Sequence, residues 1–212
     1  MIRPHAESWP LVVYGMGEHG QVVAEAAEAA GLSVLGFLDD DASAQGGQSP
    51  WPLLSRNDPR LDRACYIVAV GDNAARRRVT ARLQQNQRRL VHVAHPTAWV
   101  SPSAQLGPGT FVGPRAVVHT GARVGEGAII NSGAIIEHHS ELGAFCHVAP
   151  GATLGGCVRV GAGSFVGLNA AVLPRLVLGE GCTVGAGAVV TRSVPAGQTV
   201  VGVPARPVDP PR

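Results

Sequence analysis

One stretch of the chain concentrates the side chains that could do chemistry. Between Asn131 and Gly156 it reads NSGAIIEHHSELGAFCHVAPGATLGG, and Asn131, Glu137, His138, His139, Glu141 and His147 fall together there. Free histidine titrates at about pH 6.5, so His138 is suited to take a proton from an attacking amine or hydroxyl as a general base. A carboxylate beside it, Glu137 or Glu141, would orient the ring or help the proton move. A backbone N–H at a glycine such as Gly156 can approach closely enough to hold a developing oxyanion. No metal site is expected, because adjacent His138 and His139 on a strand or corner do not easily face one ion. The four cysteines (Cys65, Cys146, Cys157 and Cys182) form no CxxC pair and read as packing residues. All seventeen basic residues are arginine, which excludes lysine-based covalent catalysis.

A second group lies near the N-terminus. Residues 15–20, GMGEHG, sit between an apolar strand and a helical stretch, and Asp39 follows about 20 residues on. Glycines in this pattern bring backbone N–H groups at a helix N-terminus up to a pyrophosphate. That places a pyrophosphate near Gly17, His19 and Gly20, with Gly15 among the substrate-binding residues, and a base and ribose near Asp39, Asp40, Gly71 and Asn73. Taken alone the motif suggests a dinucleotide, but nothing downstream supplies a dehydrogenase domain.

Two kinds of element must position these groups. Residues 1–93 alternate strand and helix: Leu11 to Gly15, Gln21 to Ala30, Ser33 to Leu38, Tyr66 to Val70, a basic helix from about Ala74 to Gln87, and a short strand from Leu90 to Val93. This is a Rossmann-like α/β domain with a small parallel sheet and helices on both faces. Residues 94–190 carry a repeat. Stepping by six from Val100 to Val190 meets sixteen consecutive aliphatic residues, all Val, Leu or Ile. Stepping by eighteen from Ala98 to Ala188 meets only alanine, so three hexads make one coil of a parallel β-helix. Coils stack at about 4.8 Å, which leaves Cys146 and Cys182, two coils apart, too distant for a disulfide. The same register stacks Gly156 over His138 and Glu137 over His119, a pair that satisfies itself. Residues 191–212 form a tail.

The balance of 17 basic and 15 acidic residues gives a net charge of +2, so no electrostatic partnership with nucleic acid or an anionic membrane is expected. No apolar run approaches the roughly 18 residues of a membrane span, and the N-terminus reads as too weakly apolar for a signal peptide, so a cytoplasmic protein is expected.

The run IEHHSELGAFCHVAPGATLGGCVRVGAGSFVGLNAAVLP, the later VGVPAR, and YGMGEHGQVV, FLDDD and VGDNAAR in the first domain resemble the bacterial sugar-nucleotide acetyltransferases. That group includes the UDP-amino-sugar and GDP-perosamine N-acetyltransferases and the related sialic-acid O-acetyltransferases. The resemblance implies a homotrimer of left-handed β-helices, with acetyl-CoA as co-substrate between neighbours and the nucleotide sugar on the N-terminal domain. It implies His138 as the catalytic base, and acetyl-CoA contacts at Asn131, His147, Gly156, Leu168, Gly185 and Arg206. It implies an N-acetyltransferase in surface-glycan synthesis; a sugar O-acetyltransferase and a catalytically weak nucleotide-sugar-binding scaffold are the alternatives. The family usually has Asp or Glu where this chain has His139, which leaves Glu137, Glu141 or His139 itself to complete the catalytic group.

Overall fold

The computed structural model describes residues 9–41 and 49–208, so the outer ends of the first domain and of the tail, 1–8 and 209–212, lie outside the described residues. The first half contains β1 (Leu11–Tyr14), α1 (Glu18–Ala29), β2 (Val34–Leu38), β3 (Cys65–Val68), α2 (Asn73–Gln85) and β4 (Arg89–Leu90). Its strands run parallel in the order β2-β1-β3-β4. The alternation of the strand sets the layers: Leu11 and Val13 pack with Val23, Ala24 and Ala27 of α1, while Val12 and Tyr14 pack with Val79 and Leu83 of α2. Asp72 caps α2 by accepting from the Ala75 N–H at 2.7 Å. Gly17 stands at the same place on α1 and offers no side-chain cap.

The strand expected from Leu90 to Val93 is in fact divided. Val91 still donates to Tyr66 in the α/β sheet, whereas Val93 donates to Thr110, so Val93–Ala94 opens the solenoid instead. From there the chain winds a left-handed β-helix of about six coils. Its first face runs from Val93–Ala94 to Thr199–Val201, its second from Trp99–Val100 to Val189–Val190, and its third from Gln105–Leu106 to Val177–Leu178. Partners across each face are eighteen residues apart, as in Ile135 with Thr153 and His147 with Phe165.

The second residue of each two-residue strand points inward. Every sixth residue from Val112 to Val190 joins one buried core, with the alanines from Ala116 to Ala188 filling a corner. Burying each aliphatic side chain contributes roughly 1.5–3 kcal/mol, so the core needs no aromatic residue. Polar members are small and satisfied: the Ser140 hydroxyl donates to Gly155 at 3.0 Å and that of Ser164 to Gly179 at 2.9 Å. Corners require a left-handed residue, supplied by glycines such as Gly133 and Gly151, but also by Arg115, His139, Phe145, Cys157, Asn169 and Arg175. All four cysteines are free. At the far end Arg206–Val208 folds back antiparallel on Thr199–Val201.

The α/β half docks on the first face, where Met16 and α1 share a core with Phe111 and Ile129. Arg76 fastens the junction and is fully buried. Its Nε donates to Gly127 at 2.7 Å; its other nitrogens donate to Val70 at 2.8 Å, Gly71 at 3.1 Å, Phe145 at 3.0 Å and the Asn73 side chain at 2.7 Å. Burial pushes its pKa down to about 10, which still leaves it charged at neutral pH. Arg76→Leu strands these carbonyls in a dry interface, where each unsatisfied group costs about 1–3 kcal/mol. The expected result in urea unfolding is a loss of about 3 kcal/mol or more; a change under 1 kcal/mol contradicts this role for Arg76.

Candidate active site

The edge between the second and third faces carries the histidine pair. Ile136 and Ser140 point into the core and are fully buried, so Glu137, His138 and His139 are forced outward between two anchors. His139 takes the left-handed corner position, with φ +57. The two rings touch: Nδ1 of His138 lies 3.2 Å from Nδ1 of His139, with centroids 5.4 Å apart and planes at 75°. Each ring rests against a glycine of the adjoining coil. A β-carbon on Gly156 would come within 2.6 Å of the His138 ring, and one on Gly121 within 2.9 Å of the His139 ring. Counting by eighteen had placed Gly156 there, and Glu137 is likewise found against His119, with Oε1 3.6 Å from Nε2. Glu141 follows on the third face and lies 3.8 Å from Arg159.

Asn131 and His147 form a separate group. Asn131 Nδ2 is 3.2 Å from His147 Nε2. The His147 ring lies between Phe165 at 5.2 Å and His19 at 6.5 Å, centroid to centroid. Burial, and after it the Arg76 charge, pushes the pKa of both His19 and His147 down to about 4. Among the described residues, Nε2 of His19 and Nδ1 of His147 are buried without a hydrogen-bond partner.

Asn131, Leu168 and Gly185 all lie on the edge between the first and second faces, in rising coils. Leu168 is exposed there, and Arg206 lines a groove of about 210 Å³ with Arg192 and Ser193. The residues expected around acetyl-CoA and the expected base therefore sit on different edges of one chain, with the second face between them; Gly156 alone shares the edge of His138.

In the glycine loop two of three glycines are required by packing. Gly15 has φ +111, and a β-carbon on Gly20 would lie 2.0 Å from the Gly15 carbonyl. Gly17 is open to its surroundings and leaves the first N–H groups of α1 unobstructed. His19 turns inward to Phe111, at 5.6 Å. Asp39 braces the loop by accepting from the Met16 N–H at 2.8 Å. Asp40 accepts from Tyr14 at 2.6 Å and from both Arg56 and Arg82. Gly71 opens on a groove of about 860 Å³ lined also by Arg77, Arg78, Glu180 and Thr183. Asn73 is committed to the domain junction: its amide donates to Gly163 at 2.9 Å and Ser164 at 3.2 Å.

Residues 10–83 match the PglD N-terminal domain family; residues 103–138 match the bacterial transferase hexapeptide repeat, and 157–192 the hexapeptide repeat of succinyl-transferase. The chain superposes on the acetyltransferase domain of PglB from Neisseria gonorrhoeae FA1090 with TM-score 0.88 and 38% identity, covering 94% of this chain and 100% of that one. That domain is also known in complex with acetyl coenzyme A. PerB from Caulobacter crescentus, in complex with CoA and GDP-perosamine, matches with TM-score 0.88 and 35% identity over 94% of this chain and 97% of that one. The chain belongs to the sugar-nucleotide acetyltransferases of the hexapeptide-repeat family.

Several residues of this hexapeptide transferase escape the sequence motifs. Arg76 sits in a run of three arginines that reads as a solvated helix face. The buried positions of α2, Arg76, Val79, Thr80 and Leu83, nevertheless follow helical spacing, and that periodicity is the signal that marks Arg76 as different from Arg77 and Arg78. Tyr14, Arg56 and Arg82 have no comparable signal. Burial and the bond to Asp40 push the Tyr14 phenol up to about 12. Burial pushes Asp40 up, but bonds from Tyr14, Arg56 and Arg82 outweigh it and hold the carboxyl at about 2. Among the described residues no helix is long and apolar enough to cross a membrane.

The depressed His19 and His147 have a consequence for stability. Unfolded, each binds a proton near pH 6.5; folded, each resists until about pH 4. Folding stability is therefore full above about pH 6.5 and declines as pH falls toward 4, because the unfolded chain binds the extra protons. Urea unfolding across that range is expected to show this slope, and His19→Asn to flatten it; a stability profile flat from pH 7 to 4 in the parent chain refutes it.

Proposed function

We propose that this chain is an acetyl-CoA-dependent N-acetyltransferase acting on the amino group of a nucleotide-linked amino sugar, with His138 as general base. The observation that carries the reading is the exposed His138 ring held against Gly156 on a solenoid edge. It is supported by relatives, matching along nearly the whole chain, whose structures hold CoA and GDP-perosamine.

His138 takes the proton from the sugar amine through Nε2 as the amine nitrogen bonds to the thioester carbon. In this reading the backbone N–H of Gly156, one coil above, donates to the thioester oxygen as charge develops there. The carbon–sulfur bond then breaks, coenzyme A leaves as the thiol with the proton, and no covalent enzyme intermediate is needed. At the other end of the substrate, the open Gly17 and the α1 N-terminus suit a diphosphate, and Gly71 with its groove suits the nucleoside. Asp39 and Asp40 act there by bracing the loop and holding Arg56 and Arg82, rather than as free carboxylates.

The separation of edges argues for assembly. Asn131, Leu168 and Gly185 follow one edge and His138 another, so a pantetheine arm along the first reaches a base on the second most directly when two copies lie side by side. A homotrimer, closing a ring of such heterologous contacts, meets that need three times over.

Thiol release from acetyl-CoA, measured with a panel of UDP- and GDP-linked amino sugars, tests the reaction; acetylation of unactivated sugars alone overturns it. His138→Asn is expected to lower kcat at least a hundredfold. Gly156→Ala, whose new methyl group collides with the His138 ring, is expected to lower kcat about tenfold or more while the chain stays folded by circular dichroism. Undiminished turnover in His138→Asn removes the base assignment.

A further inference from the structure

We infer that His139 is a positioning residue: its Nδ1 accepts the Nδ1 proton of His138 and thereby fixes the tautomer in which His138 Nε2 is free to act as base. This rests on His138 being that base. At 3.2 Å the two Nδ1 atoms are within hydrogen-bond distance, so one must carry hydrogen and the other a lone pair. If His139 were the donor, neutral His138 would carry its hydrogen on Nε2 and have no lone pair for the substrate. The productive arrangement is the converse, with His139 protonated on Nε2.

The surroundings leave this task to His139. Glu137 is engaged twice, by His119 at 3.6 Å and by the backbone N–H of His138 at 3.3 Å. Glu141 lies with Arg159 on the third face. The remaining titratable side chains near this corner are Cys157 and Arg175, which continue the His139 column in the coils above, and Arg123 on the third face. No carboxylate among the described residues is hydrogen-bonded to the His138 ring.

The backbone points the same way. His139 occupies a left-handed position that Gly121 fills one coil below, where a residue with a β-carbon is disfavoured. The ring is seated close against Gly121, and His138 close against Gly156, so the pair is held between glycines from both sides.

The pair differs chemically from a histidine with a carboxylate. It starts neutral. When His138 Nε2 takes the amine proton, the new positive charge faces a neutral lone pair, and the Nδ1 proton can be shared with His139. No negative charge draws the first proton on, so replacing His139 with an acid favours the imidazolium of His138.

Two measurements test this. With 15N-labelled histidine, imidazole NMR should find the hydrogen on Nδ1 of His138 and on Nε2 of His139, with assignment from the single variants. A hydrogen on Nε2 of neutral His138 overturns the inference whatever the substrate. With acetyl-CoA and the amino-sugar nucleotide that supports thiol release, His139→Gly removes the ring without backbone strain. Its kcat should fall about tenfold or more at unchanged KM for the acceptor. His139→Asp should restore the rate and move the acid limb of the kcat profile to higher pH. Parental kcat and pH profile in His139→Gly, with His138→Asn inactive, sinks the positioning role alone; full activity in His138→Asn sinks the base reading beneath it.

Discussion

The Arg76 guanidinium is buried at the meeting of the two halves, and its hydrogen bonds go to carbonyl oxygens and one amide rather than to a carboxylate. A buried charge without hydrogen bonds would be prohibitive, so its seat is only tolerable if both halves supply their carbonyls together. Val70 and Gly71 come from the loop after β3 and Asn73 from the first turn of α2; Gly127 and Phe145 come from two successive corners of the solenoid. This fixes the α/β half against particular coils. The contact of His19 with His147 and the opening of the groove at Gly71 both follow from it.

The solenoid divides its labour among its edges. The first face and the edge leading into it from the third receive the α/β half, the edge from the first to the second carries Asn131, Leu168 and Gly185, and that from the second to the third carries His138 and His139. On this last edge the left-handed position passes from Gly121 to His139, Cys157 and Arg175, so three coils in succession forgo glycine. Backbone strain of this kind persists where surrounding structure overdetermines it, and here the buried flanks Ile136 and Ser140 do so.

Much of this was readable from residue spacing because a coil of fixed length turns sequence separation into stacking. Gly156 over His138 and Glu137 against His119 needed only the count of eighteen. The same count says nothing about which of three edges a residue occupies relative to another, so Asn131 and His138 looked like one cluster although a whole face divides them. Arg76 is hard to read because it shares a basic run with Arg77 and Arg78, and only its helical phase with Val79, Thr80 and Leu83 sets it apart. The roles of Asp39 and Asp40 turned on partners far away in the chain, Arg56 and Arg82, whose approach no local pattern encodes. The strand at Leu90 was split because its end is claimed by two sheets, and only tertiary structure decides between them.

A stack of parallel strands with two-residue rungs is, at its last coil, a row of unsatisfied backbone groups ready to receive another chain. Here Arg206–Val208 reverses direction against Thr199–Val201, and Pro207 stands within it. A reversed rung with a missing N–H is a poor template for a further parallel one. On the first face the tail segment beside the Arg206 groove thus also closes the open end of the stack against axial addition of a further parallel rung.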